Sequence, residues 1–287
     1  MNILTKKTLL QKILLYIFLI IFCIPFIMPF LYMLSTSLKT DDQIFDTEVA
    51  KRGFMIKDLI PKPITLDNYP NSMKSVPFLQ YIKNTIILCF FNVLGAIFSC
   101  SLVAYGFARI KFSGRDTLFF LMLATMALPA QVTMIPVFII FKNLGWYDTF
   151  LPLIVPAFFG NAFFIFLLRQ FFMTIPDELS EAAKIDGASE WKIFWQIVLP
   201  LAKPALATVA LFQFLATWND FFTPLLYINN PMKYTIAYGL QQFMSSYSGR
   251  WAELMAASCI FILPIIIIFF LAQKTFVQGI ATTGGKS

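Results

Sequence analysis

The sequence contains no histidine and few charged residues. Only 13% of its 287 residues are charged, whereas a soluble domain carries about a quarter. The absence of histidine excludes histidine general bases, histidine metal ligands and Ser-His triads. All four cysteines lie inside apolar runs, at Cys23, Cys89, Cys100 and Cys259. They are therefore predicted to be small buried hydrophobic side chains, without a disulfide framework or a metal site.

Apolar residues dominate what is present. Hydrophobic residues make up 59% of the chain, which includes 34 phenylalanines, and the mean hydropathy is +0.75. In water such a chain would expose far more apolar surface than a monomer tolerates. The sequence therefore predicts a protein of the lipid bilayer.

Six segments are long and apolar enough to cross a membrane. A span needs roughly 20 mostly apolar residues to cross about 30 Å of hydrocarbon. The six segments cover residues 13–34, 85–108, 118–141, 150–168, 205–228 and 254–272. Only the fifth contains a charged residue, Asp220. We predict an all-α membrane protein with six transmembrane helices, organised as a single domain over residues 1–287.

The distribution of Lys and Arg predicts the orientation of these spans. An even number of crossings places both termini on one side of the membrane. If residues 39–83 form a small folded extracellular element, the remaining short loops carry 12 Lys and Arg on the side of the N-terminus and 3 on the other. By the positive-inside rule, we expect both termini to be cytoplasmic.

Prolines recur within the spans, as at Pro25, Pro29, Pro129, Pro136 and Pro264. Each removes a backbone hydrogen bond and is expected to bend or break a helix. Such breaks suit helices that rearrange around a pathway, although proline is also common in membrane helices with no such role.

The longest predicted cytoplasmic loop, residues 173–203, has the pattern of two helices. Thr174 is a candidate cap, Pro176 suits a first helical turn, and Gly187 is a natural C-terminal stop. A second helix is expected to begin near Ser189 and to end at Leu199-Pro200. Its apolar stripe is predicted to lie in the membrane interface and consists of Trp191, Phe194, Trp195 and Val198.

Two interpretations of this loop are open from physical chemistry alone. Ala182, Ala183 and Gly187 allow the backbone of another protein to approach closely, and Glu181 offers a charge to a basic partner. Alternatively, the loop is a self-contained amphipathic segment in which Glu181 pairs with Lys184, which would contribute only a few tenths of a kcal/mol.

The loop resembles the EAA motif of the integral-membrane permease subunits of ABC importers. The matching residues are Glu181-Ala182-Ala183, then Gly187, then Ile197-x-Leu199-Pro200. The resemblance covers most of the chain and is closest to the shorter of the two permease subunits of maltose-type carbohydrate importers. Other matching segments are Thr65-Leu66-Asp67-Asn68-Tyr69, Tyr81-Ile82-Lys83-Asn84-Thr85, Ala104-Tyr105-Gly106-Phe107-Ala108-Arg109 and Trp218-Asn219-Asp220.

The resemblance implies a type I ABC importer permease fold and a set of partners. In that family two permease subunits form the pathway for a sugar or oligosaccharide, here expected as a heterodimer. Two cytoplasmic ATPase subunits bind ATP and Mg, and an extracellular solute-binding protein delivers the substrate. The subunit itself is then non-catalytic, holds no cofactor, resides in a prokaryotic cell membrane and has no nucleic-acid partner. The residues implied to couple it to the ATPase are Glu181, Ala182, Ala183, Asp186, Gly187, Ile197, Leu199 and Pro200.

Polar residues within the spans are candidates for a substrate path or gate. The neutral ones are Asn92, Gln131, Asn161 and Gln213. They are able to line a path for a hydroxyl-rich solute, or to hydrogen-bond between helices. Asp220 lies about 24 Å along a crossing of about 30 Å, near the outer edge. A structural or gating role is expected for it and for its neighbours Trp218 and Asn219.

The outer loop before the sixth span has a composition suited to a docked protein or a sugar. Its candidate contacts are Tyr238, Gly239, Gln241, Gln242 and Tyr247. In the resembling family the equivalent loop can reach into the binding protein.

Two other classes of function fit the sequence less well. An ion-driven secondary carrier needs coupling-ion ligands at mid-depth, whereas the one intramembrane carboxylate lies near an edge. A membrane enzyme needs positioned general acid-base groups, whereas the chain has no histidine, no cysteine outside the spans and no paired carboxylates on one helical face. The C-terminal Gly279 to Ser287 segment resembles a phosphate-binding loop but has five residues, not four, between its first glycine and the Gly-Lys pair. Nucleotide is therefore expected on another subunit.

Overall fold

The computed structural model of the protein describes residues 9–47, 51, 53, 55–246 and 249–284. The described residues are helical, without strands, as the sequence predicts. The α-helices are α1 (Leu9–Ser37), α2 (Asp41–Ile44), α3 (Asn68–Ser75), α4 (Phe78–Arg109), α5 (Arg115–Ala124), α6 (Ala130–Asn143), α7 (Leu151–Ile154), α8 (Ala162–Phe172), α9 (Asp177–Ile185), α10 (Glu190–Ile193), α11 (Leu199–Leu201), α12 (Lys203–Trp218), α13 (Phe222–Tyr227), α14 (Ile236–Ser246) and α15 (Trp251–Gly284).

Four segments are long and apolar enough to cross a membrane without a sharp break. They are Gln11–Ser37, Phe78–Arg109, Leu151–Phe172 and Trp251–Gln273. Two further pairs of helices qualify only when each bent pair is taken as one span, which gives up to six. Five of the six predicted apolar segments fall on these helices. The fifth, residues 205–228, differs, because its helix ends at Trp218 and the bent pair that qualifies begins at Glu190, inside the predicted cytoplasmic loop. The limits of the spans within the bilayer stay a prediction.

The sharpest bend lies at Pro129. Arg115–Ala127 and Ala130–Asn143 meet at 98°, because Leu128 and Pro129 are both extended, with ψ of 117° and 133°. The expectation of a broken helix is thus confirmed at this proline. By contrast, Pro25, Pro29, Pro136 and Pro264 lie inside helices without ending them.

The chain divides into two compact units, one formed by residues 1–76 and 242–262 and the other by residues 77–241 and 263–287. The prediction of a single domain is not tested by this division. In the first unit, the buried amide of Asn68 on α3 donates to the carbonyls of Ser37 and Lys39 at 2.9 and 2.7 Å. These bonds fix the end of α1 and the residues just after it against α3.

In the second unit, α4 is the central helix and packs against α8 and α12. Small side chains at the contact, including Ala96, Cys100 and Ala104, are almost fully buried, which allows helix backbones to approach closely. Cys89, Cys100 and Cys259 are buried as predicted, but Cys23 is exposed. The expectation for Cys23 was wrong because nothing in the described chain covers the middle of α1.

Candidate functional site

The EAA loop, residues 173–203, begins with an exposed helix that ends as predicted. Helix α9 runs from Asp177 to Ile185, and Gly187 adopts a φ of +78°, a conformation that glycine takes without the penalty paid by other residues. The amide of Gly187 donates to Lys184 and that of Ala188 to Ala183, at 3.0 and 2.9 Å. Thr174 does not cap the helix, because its hydroxyl donates to the carbonyl of Phe171 at 2.7 Å.

The predicted contact residues of α9 are mostly open to solvent. Glu181, Ala182, Asp186 and Gly187 are exposed, and Ala183 packs partly against the core. Ile185, which sequence reasoning did not single out, has 87% of its surface exposed. The carboxylate of Glu181 has no partner among the described residues, since Lys184 pairs with Glu190 instead, at 2.6 Å. The Glu181–Lys184 pair that belongs to the alternative interpretation of the loop is therefore not formed.

The second arm of the loop differs from the predicted interfacial stripe. Ser189 accepts a hydrogen bond from the amide of Lys192 at 3.3 Å and begins α10, but Phe194–Val198 is a π-helix. This wider turn changes which residues share a face. Phe194 and Val198 are buried in the protein core, whereas Trp191 and Trp195 are 59% and 44% exposed.

The residues predicted to brace this arm divide in the same way. Ile197 and Leu199 pack against the core, and Pro200 is exposed. The helix continues to Leu201 instead of ending at Leu199-Pro200.

Four polar residues of the predicted path line one cavity. The cavity has a volume of about 440 Å³ and lies between α4, α6, the 151–161 segment, α12 and α13. The four residues are Asn92, Asn161, Gln213 and Asp220. Aromatic rings of Phe141 and Tyr227 share the lining. Gln131 is not part of it and is exposed at the start of α6.

The four polar side chains are held by local hydrogen bonds, not by bonds between helices. Asn92 donates to Leu88 at 2.9 Å, and Gln213 donates to Thr217 at 3.0 Å. Asn161 caps α8 by accepting from Phe163 at 3.0 Å, and Asp220 accepts from the amide of Thr223 at 2.9 Å. In each side chain the second polar atom has no partner among the described residues. The cavity therefore presents donors and acceptors to a solute.

The other two members of the Trp-Asn-Asp segment do not reach the cavity. Trp218 is 1% exposed, and its ring stacks on Phe214 with 5.4 Å between centroids. Asn219 donates to the carbonyl of Leu215 at 2.8 Å, at the end of α12. The geometry is that of a packed helix end, with only Asp220 facing the cavity.

The predicted outer contact loop is largely a packed helix. Tyr238 is buried against the ring of Tyr234, with 4.2 Å between centroids. A Cβ on Gly239 would lie 2.3 Å from the ring of Tyr81, so this glycine allows a close approach. Gln241 is exposed and Gln242 is half-buried, while Tyr247 lies outside the described residues.

A carboxylate that sequence reasoning missed connects two loops near this cavity. Asp148, with a φ of +57°, accepts from the amides of Asn229 and Asn230 at 3.1 and 2.9 Å. Lys233 donates to it at 3.1 Å. The bond from Asn230, followed by that from Lys233, holds the pKa of Asp148 below its usual range. The local sequence around Asp148 does not predict these hydrogen bonds, because the partners lie 81 or more residues away along the chain.

Long apolar helices around a polar cavity, with an exposed helical loop, define a helical membrane transport subunit. Residues 92–282 match the model of the binding-protein-dependent transport system inner membrane component. The chain belongs to this family.

Named relatives and a solved structure agree with this assignment. The chain is 33% identical to the arabinooligosaccharides transport system permease protein AraQ of Bacillus subtilis, over 80% of this chain and 82% of the relative. It is 32% identical to the sn-glycerol-3-phosphate transport system permease protein UgpE of Yersinia pestis, over 84% and 85%. A bacterial ABC transporter involved in the import of the acidic polysaccharide alginate matches with a TM-score of 0.78 and 26% identity, over 96% of this chain and all of the other.

Proposed function

We propose that this permease subunit forms half of a translocation pathway for a sugar or oligosaccharide. The supporting observation is the cavity, in which unpaired amide and carboxylate atoms from four side chains lie beside two aromatic rings. Hydroxyl groups hydrogen-bond to such atoms, and sugar faces pack on aromatic rings. The arabinooligosaccharide and alginate systems of similar proteins support the same class of solute. A second permease subunit supplies the other half of the pathway.

Two cytoplasmic ATPase subunits supply the energy for import. They bind ATP and Mg, hydrolyse the nucleotide and contact α9. The exposed surface of Glu181, Ala182, Asp186 and Gly187 supports this contact. Ile197, Leu199 and Pro200 brace the loop against the helix bundle. An extracellular solute-binding protein delivers the solute on the side of the membrane where Gln241 lies.

We expect uptake to depend on ATP and on the separate subunits. In proteoliposomes, the complete assembly should accumulate labelled oligosaccharide only when ATP, the ATPase and the loaded binding protein are all present. Omission of any one should reduce accumulation to background. Accumulation by this chain alone, driven by a sodium or proton gradient, would instead establish an ion-driven secondary carrier.

The proposed orientation places both termini in the cytoplasm and is tested by labelling. In a variant without the four native cysteines, Ser113→Cys should be shielded from a membrane-impermeant thiol reagent in intact cells. Asn229→Cys should be labelled. Both positions are exposed in the structure, so local burial does not explain a difference. The reverse pattern would place the EAA loop outside the cell.

A further inference from the structure

The EAA loop is bonded to the end of α4 at two separate points. At the first, Arg109, the last residue of α4, forms an ion pair with Asp177, the first residue of α9. The same guanidinium donates to the carbonyls of Phe172 and Ile175, which precede α9. The side chain of Arg109 is only 7% exposed, although that of Asp177 is 79% exposed. Arg109 therefore fixes the start of α9 from within the protein.

At the second point, a chain of three side chains connects α4 with the other end of α9. The hydroxyl of Tyr105 donates to Oε2 of Glu190 at 2.6 Å. Oε1 of Glu190 lies 2.6 Å from the ammonium of Lys184, in the last turn of α9. Tyr105 is 5% exposed and its ring lies against Phe194, at 5.1 Å between centroids. Tyr105 and Arg109 are four residues apart and thus share one face of α4.

The same helix also carries one wall of the cavity. Leu88, Asn92 and Ala96 of α4 line it, and Asn92 lies 13 residues before Tyr105, which is about 20 Å along an α-helix. Between these positions α4 is continuous. Displacement of either end of α9 therefore pulls, through bonds to charged groups, on a helix that reaches the cavity.

We propose that Tyr105 and Arg109 are positioning residues that transmit movement of the EAA loop to the cavity through α4. This inference rests on the proposed function, because it assumes that α9 receives the force of the ATPase. Both side chains are almost fully buried and neither lines the cavity, so we place them between the ATPase contact and the solute path. Their role is to hold the loop and the pathway as one mechanical unit.

Tyr105→Phe is the most direct test, because it removes only the hydroxyl and keeps the ring against Phe194. In the reconstituted assembly we expect basal ATP hydrolysis and retention of the ATPase to be unchanged. The number of ATP molecules hydrolysed per solute imported should rise at least threefold, because the loop moves without the pathway. Tyr147→Phe is the matched control, since this exposed tyrosine lies in the loop between α6 and α7. A wild-type ratio in Tyr105→Phe would overturn the proposal.

A double-variant comparison separates a specific bond from general weakening. If Tyr105 acts through Glu190, the double variant Tyr105→Phe/Glu190→Gln should hydrolyse no more ATP per solute imported than the more severe of the two single variants. If the increases of the two single variants multiply in the double variant, the two residues act independently and the proposal is contradicted. Arg109→Lys retains the charge but not the planar fork, so it should also raise the ratio, while Arg109→Lys with a wild-type ratio would exclude the first contact point.

These results are distinguishable from failure of the proposed function. If substitutions on the exposed surface of α9 abolish uptake while Tyr105→Phe and Arg109→Lys keep the wild-type ratio, only the transmission through α4 is wrong. If the substitutions on α9 leave uptake unchanged and those at Tyr105 and Arg109 leave the ratio unchanged, the ATPase does not act through this loop. The proposed function itself then fails.

Discussion

Gly187→Leu is expected to leave the amount of protein in the membrane nearly unchanged and to reduce solute uptake at least tenfold. Gly187 has a φ of +78°, and a Cβ there would meet no atom of this chain within 4 Å. A left-handed conformation costs a non-glycine residue roughly 1–2 kcal/mol, which this membrane domain is expected to tolerate. In the proposed contact, the added side chain instead occupies the space into which the ATPase surface fits.

Gly114→Leu is a close control for this substitution. Gly114 has a φ of +80° and equally open surroundings, but it lies between α4 and α5. The two variants therefore share the backbone strain and differ in the surface that they alter. Uptake, membrane abundance and retention of the ATPase on detergent purification should be measured for both. Equal uptake by Gly187→Leu and wild type would show that the loop does not contact a partner closely.

Glu181→Lys tests the charge on the same surface, and it too is expected to reduce solute uptake at least tenfold without changing the amount of protein in the membrane. Glutamate and lysine have similar helix propensities, and the carboxylate has no partner among the described residues to lose. A tenfold loss of uptake corresponds to about 1.4 kcal/mol. Asp42→Lys, an equal charge reversal at an exposed site on α2, should transport normally.

Ala216→Trp should block uptake with a similarly large effect and without loss of the ATPase. Ala216 lines the cavity and is itself exposed, so the indole fills the proposed solute path and need not displace the core. Uptake should fall at least tenfold, while the ATPase remains bound and active. Membrane abundance reports whether the fold survives.

Leu225→Trp provides the comparison for this variant. Leu225, on α13, is 42% exposed and does not line the cavity. It should transport at the wild-type rate. Wild-type uptake by Ala216→Trp would place the pathway elsewhere and would remove the observation that supports a sugar path.

Local features of the sequence were sufficient for much of the fold. The five charge-free apolar runs fall on helices long enough to span a membrane, alone or as a bent pair, and Gly187 predicts the end of α9, because both depend on neighbouring residues only. The apolar stripe was interpreted wrongly at Phe194 and Val198, because a regular periodicity of 3.6 residues does not foresee a π-turn.

The site was less predictable, because its geometry arises from packing between distant segments. Asn92 and Gln131 looked alike in sequence, yet only Asn92 lines the cavity. The hydrogen bond of Tyr105 spans 85 residues, and no local pattern announces it. The segment that contains Tyr105 and Arg109 resembles the family motif, but the sequence does not identify Glu190 and Asp177 as the partners of these two side chains.

The π-turn at Phe194–Val198 gives one short helix a buried face and an exposed face. In a regular helix, Trp191 and Trp195 would share a stripe with Phe194 and Val198. With the wider turn, the two indoles are exposed but still contact the buried ring of Phe194, with 6.0 and 5.3 Å between centroids. The tryptophans thus form a cover over Phe194, and removal of either indole would uncover part of the core beneath the loop.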